Sequence, residues 1–297
     1  MSDPRVVGIG GGHGLAVTLS AARLYAGSVD AVVTVADDGG SSGRLTRELG
    51  VPPPGDIRNC LVALADNASL GALYQHRFSA GALTGHTVGN LMIAALTEMT
   101  GDFALAVEEA GNLLGARGRV FPATTELVEL RARVEGGTVV GQVAVARSKR
   151  PIQEVYLEPE SPAAHPPAVS AIGNAHQIVL GPGSLFTSLI ATLLVPGIRD
   201  AVIDSAALTV FVCNNRLQKG ETEGLTASAH LDALVSHLNG HAPDVVVVQA
   251  PVLPSDGVVV DHAALGRLGP RVVEADVSTQ SGAHDPVKLA GVLRDLG

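Results

Sequence analysis

Short apolar runs that pass directly into glycine-rich loops constrain the fold of this chain more than any other feature. The first run, Arg5–Ile9, leads into Gly8-Ile9-Gly10-Gly11-Gly12-His13-Gly14, and apolar residues at helical spacing begin at Leu15. A strand, a glycine loop and a helix in that order open a doubly wound α/β fold. Glycine accounts for 35 of the 297 residues, or about 12 % against a usual value near 7 %. We therefore expect several loops whose backbone lines a site.

The rest of the chain repeats this pattern. Further strand candidates with apolar, often β-branched runs are Ser28–Ala36, Gln177–Leu180, Thr209–Val212, Val245–Gln249 and Arg271–Glu274. The stretch at about 120–158 differs, because its short strand candidates are joined by turn signals such as Gly136-Gly137. We predict one α/β domain over residues 1–297, with a Rossmann-like, mostly parallel sheet, helices on both faces and a β-rich insertion at about 120–158.

Charge and apolar patterning exclude several classes of function. The net charge is −9, no Lys/Arg-rich run occurs and only 3 % of residues are aromatic, which argues against a surface for nucleic acid or anionic membrane. The chain shows neither a signal peptide nor an apolar run near the ~18 residues of a membrane span. Two cysteines, Cys60 and Cys213, suit a reducing compartment. We expect a cytoplasmic protein that binds neither nucleic acid nor membrane.

Two glycine loops are candidates for holding phosphate through backbone amides. The first consists of Gly10, Gly11, Gly12, His13 and Gly14, and the second of Gly181, Gly183 and Ser184. Glycine lets the backbone approach a phosphate, and the following helix adds partial positive charge at its N-terminus. The first loop is not a P-loop, because no Lys-Ser/Thr pair follows it. The alternative is a tight turn that serves only the fold.

Paired carboxylates and hydroxyls follow the second strand candidate, in the segment with Asp37, Asp38, Ser41, Ser42 and Arg44. Ligands of open α/β sheets bind at this carboxyl edge. Adjacent carboxylates could hold a hydrated Mg²⁺ or accept hydrogen bonds from sugar hydroxyls. An NAD-binding interpretation would assign Asp37 to a ribose. The alternative is an Asx turn in which Ser41 or Ser42 caps a helix.

Polar residues also begin two predicted helices and follow a later strand. The candidate ligand-binding residues there are Asp56, Arg58, Asn59, His86, Asn90 and Asn214. Arginine suits phosphate because its guanidinium fork matches the oxygens, whereas Asp56 is equally a helix cap. For His86 a structural role stays open, as does a simple turn for Asn214-Asn215-Arg216 and Gly220-Glu221-Thr222.

Two helices have patterns definite enough to predict their ends and faces. The apolar spacing of Val88, Leu91, Met92, Ala95, Leu96 and Met99 predicts the buried face of one helix, with His86 and Asn90 outside that stripe. The last helix, Val287–Leu296, is predicted to begin with Asp285 as its cap and Pro286 at its first position.

Six segments carry a resemblance when they are taken in order. They are Gly-Gly-Gly-His-Gly, Ala-Asp-Asp-Gly-Gly-Ser-Ser-Gly-Arg-Leu, Pro-Gly-Asp-Ile-Arg-Asn, Gly-His-x-x-Gly-Asn, Gly-Pro-Gly-Ser and His-Asp-Pro. Together they resemble the gluconeogenesis factor family, the bacterial branch of the 2-phospho-L-lactate transferase-like superfamily, from Val6 to about Leu293. The chain departs at His13, where the family usually has threonine or serine. It departs again at Arg216–Lys219, where Met-Thr-Gln-Pro is usual.

The resemblance implies a protein that binds UDP-sugars such as UDP-N-acetylglucosamine or UDP-glucose. It also implies a role in cell shape and cell-wall synthesis during growth on gluconeogenic carbon sources, with a cell-wall synthesis protein as a candidate partner. A homodimer is implied by superfamily likeness alone. No established reaction and no required cofactor come with this branch.

The alternative is an enzyme like the transferase branch, which joins a phospholactyl group to a deazaflavin alcohol with Mg²⁺. The Asp-Asp and Gly-Asp-Arg segments of that branch correspond to Asp37-Asp38 and Gly55-Asp56. In that case Asp37 and Asp38 would hold Mg²⁺, and Arg58 would stabilise charge on the transferred phosphoryl group.

Overall fold

The computed structural model describes residues 3–297, and its centre is a seven-stranded sheet in which all strands are parallel. In chain order the strands are β1 Arg5–Gly10, β2 Ser28–Val33, β3 Arg119–Pro122, β4 Glu129–Val134, β5 Gly137–Val140, β6 Ile152–Glu158, β7 Gln177–Leu180, β8 Leu208–Val212, β9 Val245–Gln249 and β10 Arg271–Ala275. The order across the large sheet is β10-β9-β8-β7-β1-β2-β3. The direction of travel therefore reverses between β1 and β7, which makes a topological switch point there.

The central strands are mainly apolar, in keeping with the burial of both faces of the sheet there. Successive residues of one strand face opposite layers: Val245 and Val247 belong to one core cluster, and Val246 and Val248 to the other. The predicted Rossmann-like architecture, with helices on both faces, is confirmed.

The helices that cover these faces are short. They are α1 Gly12–Ala22, α2 Gly40–Leu49, α3 Gly55–Leu64, α4 Ala68–Gln75, α5 Val88–Thr100, α6 Phe103–Leu114, α7 Gln142–Ala146, α8 Pro166–Gly173, a π-helix Leu185–Ile190 continued by α9 Ala191–Leu193, α10 Pro196–Ile203, α11 Ala227–His237, α12 His262–Arg267 and α13 Pro286–Leu296. The last begins as predicted: the Asp285 carboxylate accepts hydrogen bonds from the amides of Val287 and Lys288, and Pro286 is its first residue.

The insertion is an antiparallel three-stranded sheet in the order β5-β4-β6, and α7 lies in the connection between β5 and β6. It begins later than predicted, because Arg119–Pro122 pairs in parallel with β2 at the edge of the large sheet. Its inner side chains, among them Leu130 and Leu157, join the same core cluster as Ile9 of β1. The insertion therefore packs on the large sheet and shares its core.

The predicted buried face of α5 is wrong by about one position. Gly89, Asn90, Ile93 and Ala94 are buried, whereas Met99 is 81 % exposed. The reason is polar: Asn90 turns inward to hydrogen-bond with groups of α2 and α3. Of the predicted stripe, Ala95 and Met99 are exposed, whereas Leu91, Met92 and Leu96 are half-buried against the core clusters.

No single helix among residues 3–297 is long and apolar enough to cross a membrane. Leu185–Leu193 and Pro196–Ile203 reach that length only as a pair, with a bend of 82° between them.

Candidate functional site

The two predicted phosphate loops meet at the switch point. Gly14, in the first turn of α1, lies very close to the second glycine loop. A Cβ at Gly14 would overlap the carbonyl oxygen of Pro182 and lie 2.5 Å from Gly183 Cα. The Thr18 hydroxyl donates to the Gly181 carbonyl at 2.6 Å and locks the two loops together. Glycine is needed at both turns, because φ is +61° at Gly12 and +139° at Gly183.

The second loop is also held from β8. Asn214 accepts a hydrogen bond from the Gly183 amide at 3.1 Å, and Gln218 donates to the Ser184 hydroxyl at 3.1 Å. The Asn214 segment therefore lies beside the glycine loops, as a contributor to a nucleotide site should. His13 is exposed on the first turn of α1.

Asp56 connects the first glycine loop with the carboxylate loop, which we define as residues 34–39 between β2 and α2. Although it is the second residue of α3, it does not cap that helix, and its carboxylate lies against Gly11 and Gly12. Burial and, to a smaller extent, the neighbouring Asp37 raise its pKa to about 7, although the Gly12 amide and Arg58 act in the opposite direction. Burial also raises the pKa of Asp37, which accepts from the Gly39 amide at 2.9 Å. Two carboxyl groups of elevated pKa thus stand next to the glycine loops.

Arg58 is buried in a ring of neutral acceptors. Its Nη1 donates to the Thr87 hydroxyl and to Asn90 Oδ1, each at 2.7 Å, and its Nη2 donates to Asn59 Oδ1 at 2.8 Å. Within the part of the chain that is described, no carboxylate oxygen comes within 4 Å of its nitrogens. Burial lowers its pKa, with Asp56 and Asp37 acting in the opposite direction. Arg58 brings positive charge to this end of the site.

Ser41, His86 and Asn90 form one buried chain of hydrogen bonds. Asn90 Nδ2 donates to Ser41 Oγ at 3.1 Å, and Ser41 Oγ lies 3.0 Å from His86 Nδ1. Burial lowers the pKa of His86, helped by Arg44 and Arg77. The three side chains are at most 6 % exposed. Their hydrogen bonds run among themselves and, through Asn90, to Arg58.

Two predicted site residues that follow Asp37 in the sequence, Asp38 and Arg44, have side chains directed away from it. Asp38 Oδ1 accepts from the Val143 amide at 2.9 Å and so caps α7 of the insertion. Arg44 donates to the Thr84 carbonyl at 2.7 Å. Ser42 and Asp37 remain together, since both side chains lie against Gly55, and Ser42 acts to lower the pKa of Asp37.

The Asp37-Asp38 hypothesis for Mg²⁺ can be tested on this geometry. Their carboxylates face different amides, those of Gly39 and Val143. Over residues 3–297, no group of three or more His, Cys, Asp or Glu side chains is arranged to hold a metal ion. The pair does not fit a shared ion.

Two residues with defined roles were missed or left open at the sequence level. Thr87 is the N-cap of α5 and a partner of Arg58, and its position just before an apolar helix was a readable signal. Glu221 accepts from the amides of Phe186 and Thr187 at 2.7 and 2.9 Å, so it caps the π-helix. Nothing local in Gly220-Glu221-Thr222 indicates that partner, which lies 35 residues earlier.

Comparison with known proteins identifies the family of the chain. A family model described as 2-phospho-L-lactate transferase CofD matches residues 6–280. The gluconeogenesis factor of Halalkalibacterium halodurans is 45 % identical over 267 residues, covering 89 % of this chain and 82 % of that protein. The gluconeogenesis factor of Bacillus subtilis is 41 % identical over 310 residues, covering 99 % and 98 %.

A crystal structure of a protein from Bacillus halodurans superposes with a TM-score of 0.95. It is 39 % identical in sequence, and the match covers 99 % of each chain. Both the sequence and the fold therefore place the protein with these relatives over nearly its whole length. The chain belongs to the CofD family and, within it, to the group of the gluconeogenesis factors.

Proposed function

We propose that this protein binds a UDP-sugar, such as UDP-N-acetylglucosamine or UDP-glucose, as a regulatory protein without turnover. One observation carries the proposal: two glycine loops touch at the switch point of a parallel sheet, where Gly14 lies against Gly183. Such loops offer backbone amides to adjacent phosphates, and a diphosphate needs two such seats. By family likeness we extend the proposal to cell shape and cell-wall synthesis during gluconeogenic growth.

The polar groups beside the loops suit the rest of the ligand. The carboxylate of Asp37 can accept hydrogen bonds from sugar hydroxyls, and Arg58 brings positive charge to the phosphate that carries the sugar. Asn214 and Gln218 hold the second glycine loop through their side chains and so border the proposed nucleotide site. A cytoplasmic location, a homodimer and a cell-wall synthesis partner belong to the same proposal and rest on likeness alone.

The family match favours a second candidate, a transferase that moves a phospholactyl group from a nucleotide diphosphate donor to a deazaflavin alcohol. Asp56, whose pKa burial raises to about 7, would then be the group able to exchange a proton near neutral pH, with Asp37 beside it. Release of GMP from a lactyl-diphospho-guanosine donor with the deazaflavin alcohol present would favour this candidate. Absence of release at high protein concentration would exclude it.

Calorimetric titration with UDP-N-acetylglucosamine, UDP-glucose, UDP, GDP and NAD, each with and without Mg²⁺, tests the binding proposal. Thermal shifts give an independent readout, since a ligand at a hundredfold excess over Kd stabilises the native state by about 2.7 kcal/mol. Saturable binding of UDP compounds is expected. A response to GDP or to the deazaflavin alcohol alone would favour the transferase.

A matched pair of glycine substitutions tests the seat of the diphosphate. Gly12 and Gly50 have φ of +61° and +67°, and a Cβ on either meets no atom closer than 3.8 Å. Gly12→Ala and Gly50→Ala should each cost about 1 kcal/mol of stability. Only Gly12→Ala should weaken UDP binding, by about tenfold or more, because its methyl group enters the amide cradle. Equal affinity of the two variants for UDP would show that the diphosphate does not bind at Gly12.

A further inference from the structure

A cavity of about 340 Å³ lies between the carboxylate loop and the antiparallel insertion. One wall is formed by Asp37, Asp38 and the α2 residues Thr46 and Arg47, and the other by Glu129, Gln142 and Glu158. Its volume is at the lower end of the roughly 300–1,000 Å³ of ligand pockets. It would therefore take one sugar ring and not a whole nucleotide.

The charges around this cavity are predominantly negative. Four carboxylates line it, against the single guanidinium of Arg47. Arg131 pairs with Glu129 at 3.0 Å and with Glu158 at 3.5 Å, which still leaves four negative groups facing two positive ones. A ligand that carries its own negative charge would meet repulsion here.

The lining also offers hydrogen-bonding groups that a polyhydroxylated ring could use. Asp37, Asp38, Glu129 and Glu158 bring carboxylate oxygens to the lining, and Gln142 brings a side-chain amide. The side-chain amide of Gln142 can both donate and accept. Carboxylates accept hydrogen bonds from hydroxyl groups and have no hydrogen to donate when ionised. These properties suit sugar hydroxyls better than a phosphate or a second carboxylate.

The insertion is held in place as a wall of the cavity. Asp38 accepts from the Val143 amide, and Gly141 has φ of +95° where a Cβ would overlap the Asp38 carboxylate. Val145 of the same short helix is fully buried in the core shared with the large sheet. Asp37 lines the cavity, and its carboxylate lies against Gly55, the residue before Asp56, whose own carboxylate lies against Gly11 of the first glycine loop. The cavity therefore adjoins the proposed diphosphate seat.

We infer that this cavity receives the sugar of the bound nucleotide and selects uncharged sugars over sugar acids. The inference rests on the proposed function, because it places the sugar next to the diphosphate. It goes further by assigning the insertion, and Glu129 and Glu158 in particular, to the choice of substrate class. Without the insertion the sugar would be bounded on one side only.

UDP-glucose and UDP-glucuronic acid form the decisive ligand pair, because they differ only in a hydroxymethyl group against a carboxylate. Calorimetry on the full chain should show that UDP-glucuronic acid binds at least about tenfold more weakly than UDP-glucose. The double variant Glu129→Gln/Glu158→Gln should reduce that ratio at least about threefold and leave the affinity for UDP unchanged. Gln142→Trp, which fills the cavity, should weaken UDP-glucose but not UDP.

Glu154→Gln is the matched control. Glu154 lies on β6 like Glu158 and pairs with Arg133 at 3.2 Å, but it does not line the cavity. It should leave the ratio of the two affinities unchanged. A ratio near one in the wild-type protein, or a ratio that the double variant does not alter, would overturn the inference while UDP binding still upheld the proposed function. If no UDP compound binds, the proposed function and this inference both fail.

Discussion

Asp56 is a carboxyl group in a place where burial and a second carboxylate both favour its neutral form. Its pKa is raised to about 7, compared with 3.8 for a free aspartate. Between these two values the folded protein binds more protons than the unfolded chain, so the stability contributed by this group falls as pH rises from about 4 to 7. Above pH 7 the ionised Asp56 carboxylate lowers the free energy of unfolding by its full amount.

Asp56→Asn should therefore stabilise the protein at pH 8 and have little effect at pH 4.5. The gain at pH 8 is expected on the order of 2 kcal/mol, since each pKa unit corresponds to about 1.4 kcal/mol and the group is partly exposed. Urea unfolding at the two pH values measures it. Asp232→Asn, at an exposed position on α11, serves as the control. Identical changes at both pH values would contradict the assignment of the raised pKa.

The sequence predicts which residues are candidates for the site, but it does not predict which partners they meet. Asp37, Asp56 and Arg58 were selected because carboxylates and a guanidinium follow strands and begin helices. Asp37 borders Asp56, whereas Asp38 turns to the insertion because the Val143 amide lies beside it in space. Adjacent positions in sequence carry no information about such a divergence.

At the scale of elements, α1 is placed by the closeness of its first turn to the second glycine loop. Gly14→Ala should destabilise the protein by at least about 3 kcal/mol, because the new methyl group would overlap the backbone of Pro182. A methyl group at Gly291 on α13 would have no atom within 4 Å, so Gly291→Ala should stabilise by about 0.5–1 kcal/mol. Chemical denaturation of both variants measures this contrast, and similar effects would contradict the close approach.

The attachment of α7 by Asp38 gives a second prediction about an element. Asp38→Ala should cost about 1 kcal/mol, as other helix caps do, and should speed hydrogen exchange at the Val143 amide. Asp102→Ala removes a comparable cap from α6, where it accepts from the Leu105 amide. The control should lose similar stability without faster exchange in α7. Unchanged exchange at Val143 in Asp38→Ala would show that the insertion is held by its apolar contacts alone.

Element prediction succeeded where a pattern was local. Strands with continuous apolar runs, the cap of α13 and the glycine loops all follow from a few neighbouring residues. The face of α5 did not, because apolar spacing cannot reveal that Asn90 turns inward to Arg58 and Ser41. The same limit applies to β3, whose pairing with β2 joins residues about 89 positions apart.

At the scale of the whole molecule, His284 joins the segment before α13 to the end of β8. Its Nε2 lies 3.2 Å from the Cys213 carbonyl oxygen, and burial lowers its pKa to about 4 although that carbonyl acts to raise it. Below pH ~6.5 the unfolded chain takes up a proton at this residue that the folded chain does not, so stability is lost as pH falls from about 6.5 to 4.

His284→Gln should reduce this loss by about 2 kcal/mol over that pH range, because glutamine has no proton to gain. Urea unfolding at pH 7 and pH 4.5 gives the two free energies for the variant and the wild-type protein. His241→Gln, at an exposed position, should keep the wild-type pH dependence. A variant with the same acid loss as the wild type would place the His284 ring in solvent.

Local patterns and ordered motifs in the sequence were enough to establish the parallel architecture, the two glycine loops, the existence of an antiparallel insertion and the family. Contacts in three dimensions set how the side chains are used. They brought Gly14 against Gly183, left Arg58 among neutral acceptors, separated Asp37 from Asp38 and placed Glu129 and Glu158 across a cavity from the carboxylate loop. The physical reason is that a side chain takes its pKa, partners and exposure from neighbours in space, and in this fold those neighbours come from elements far apart along the chain.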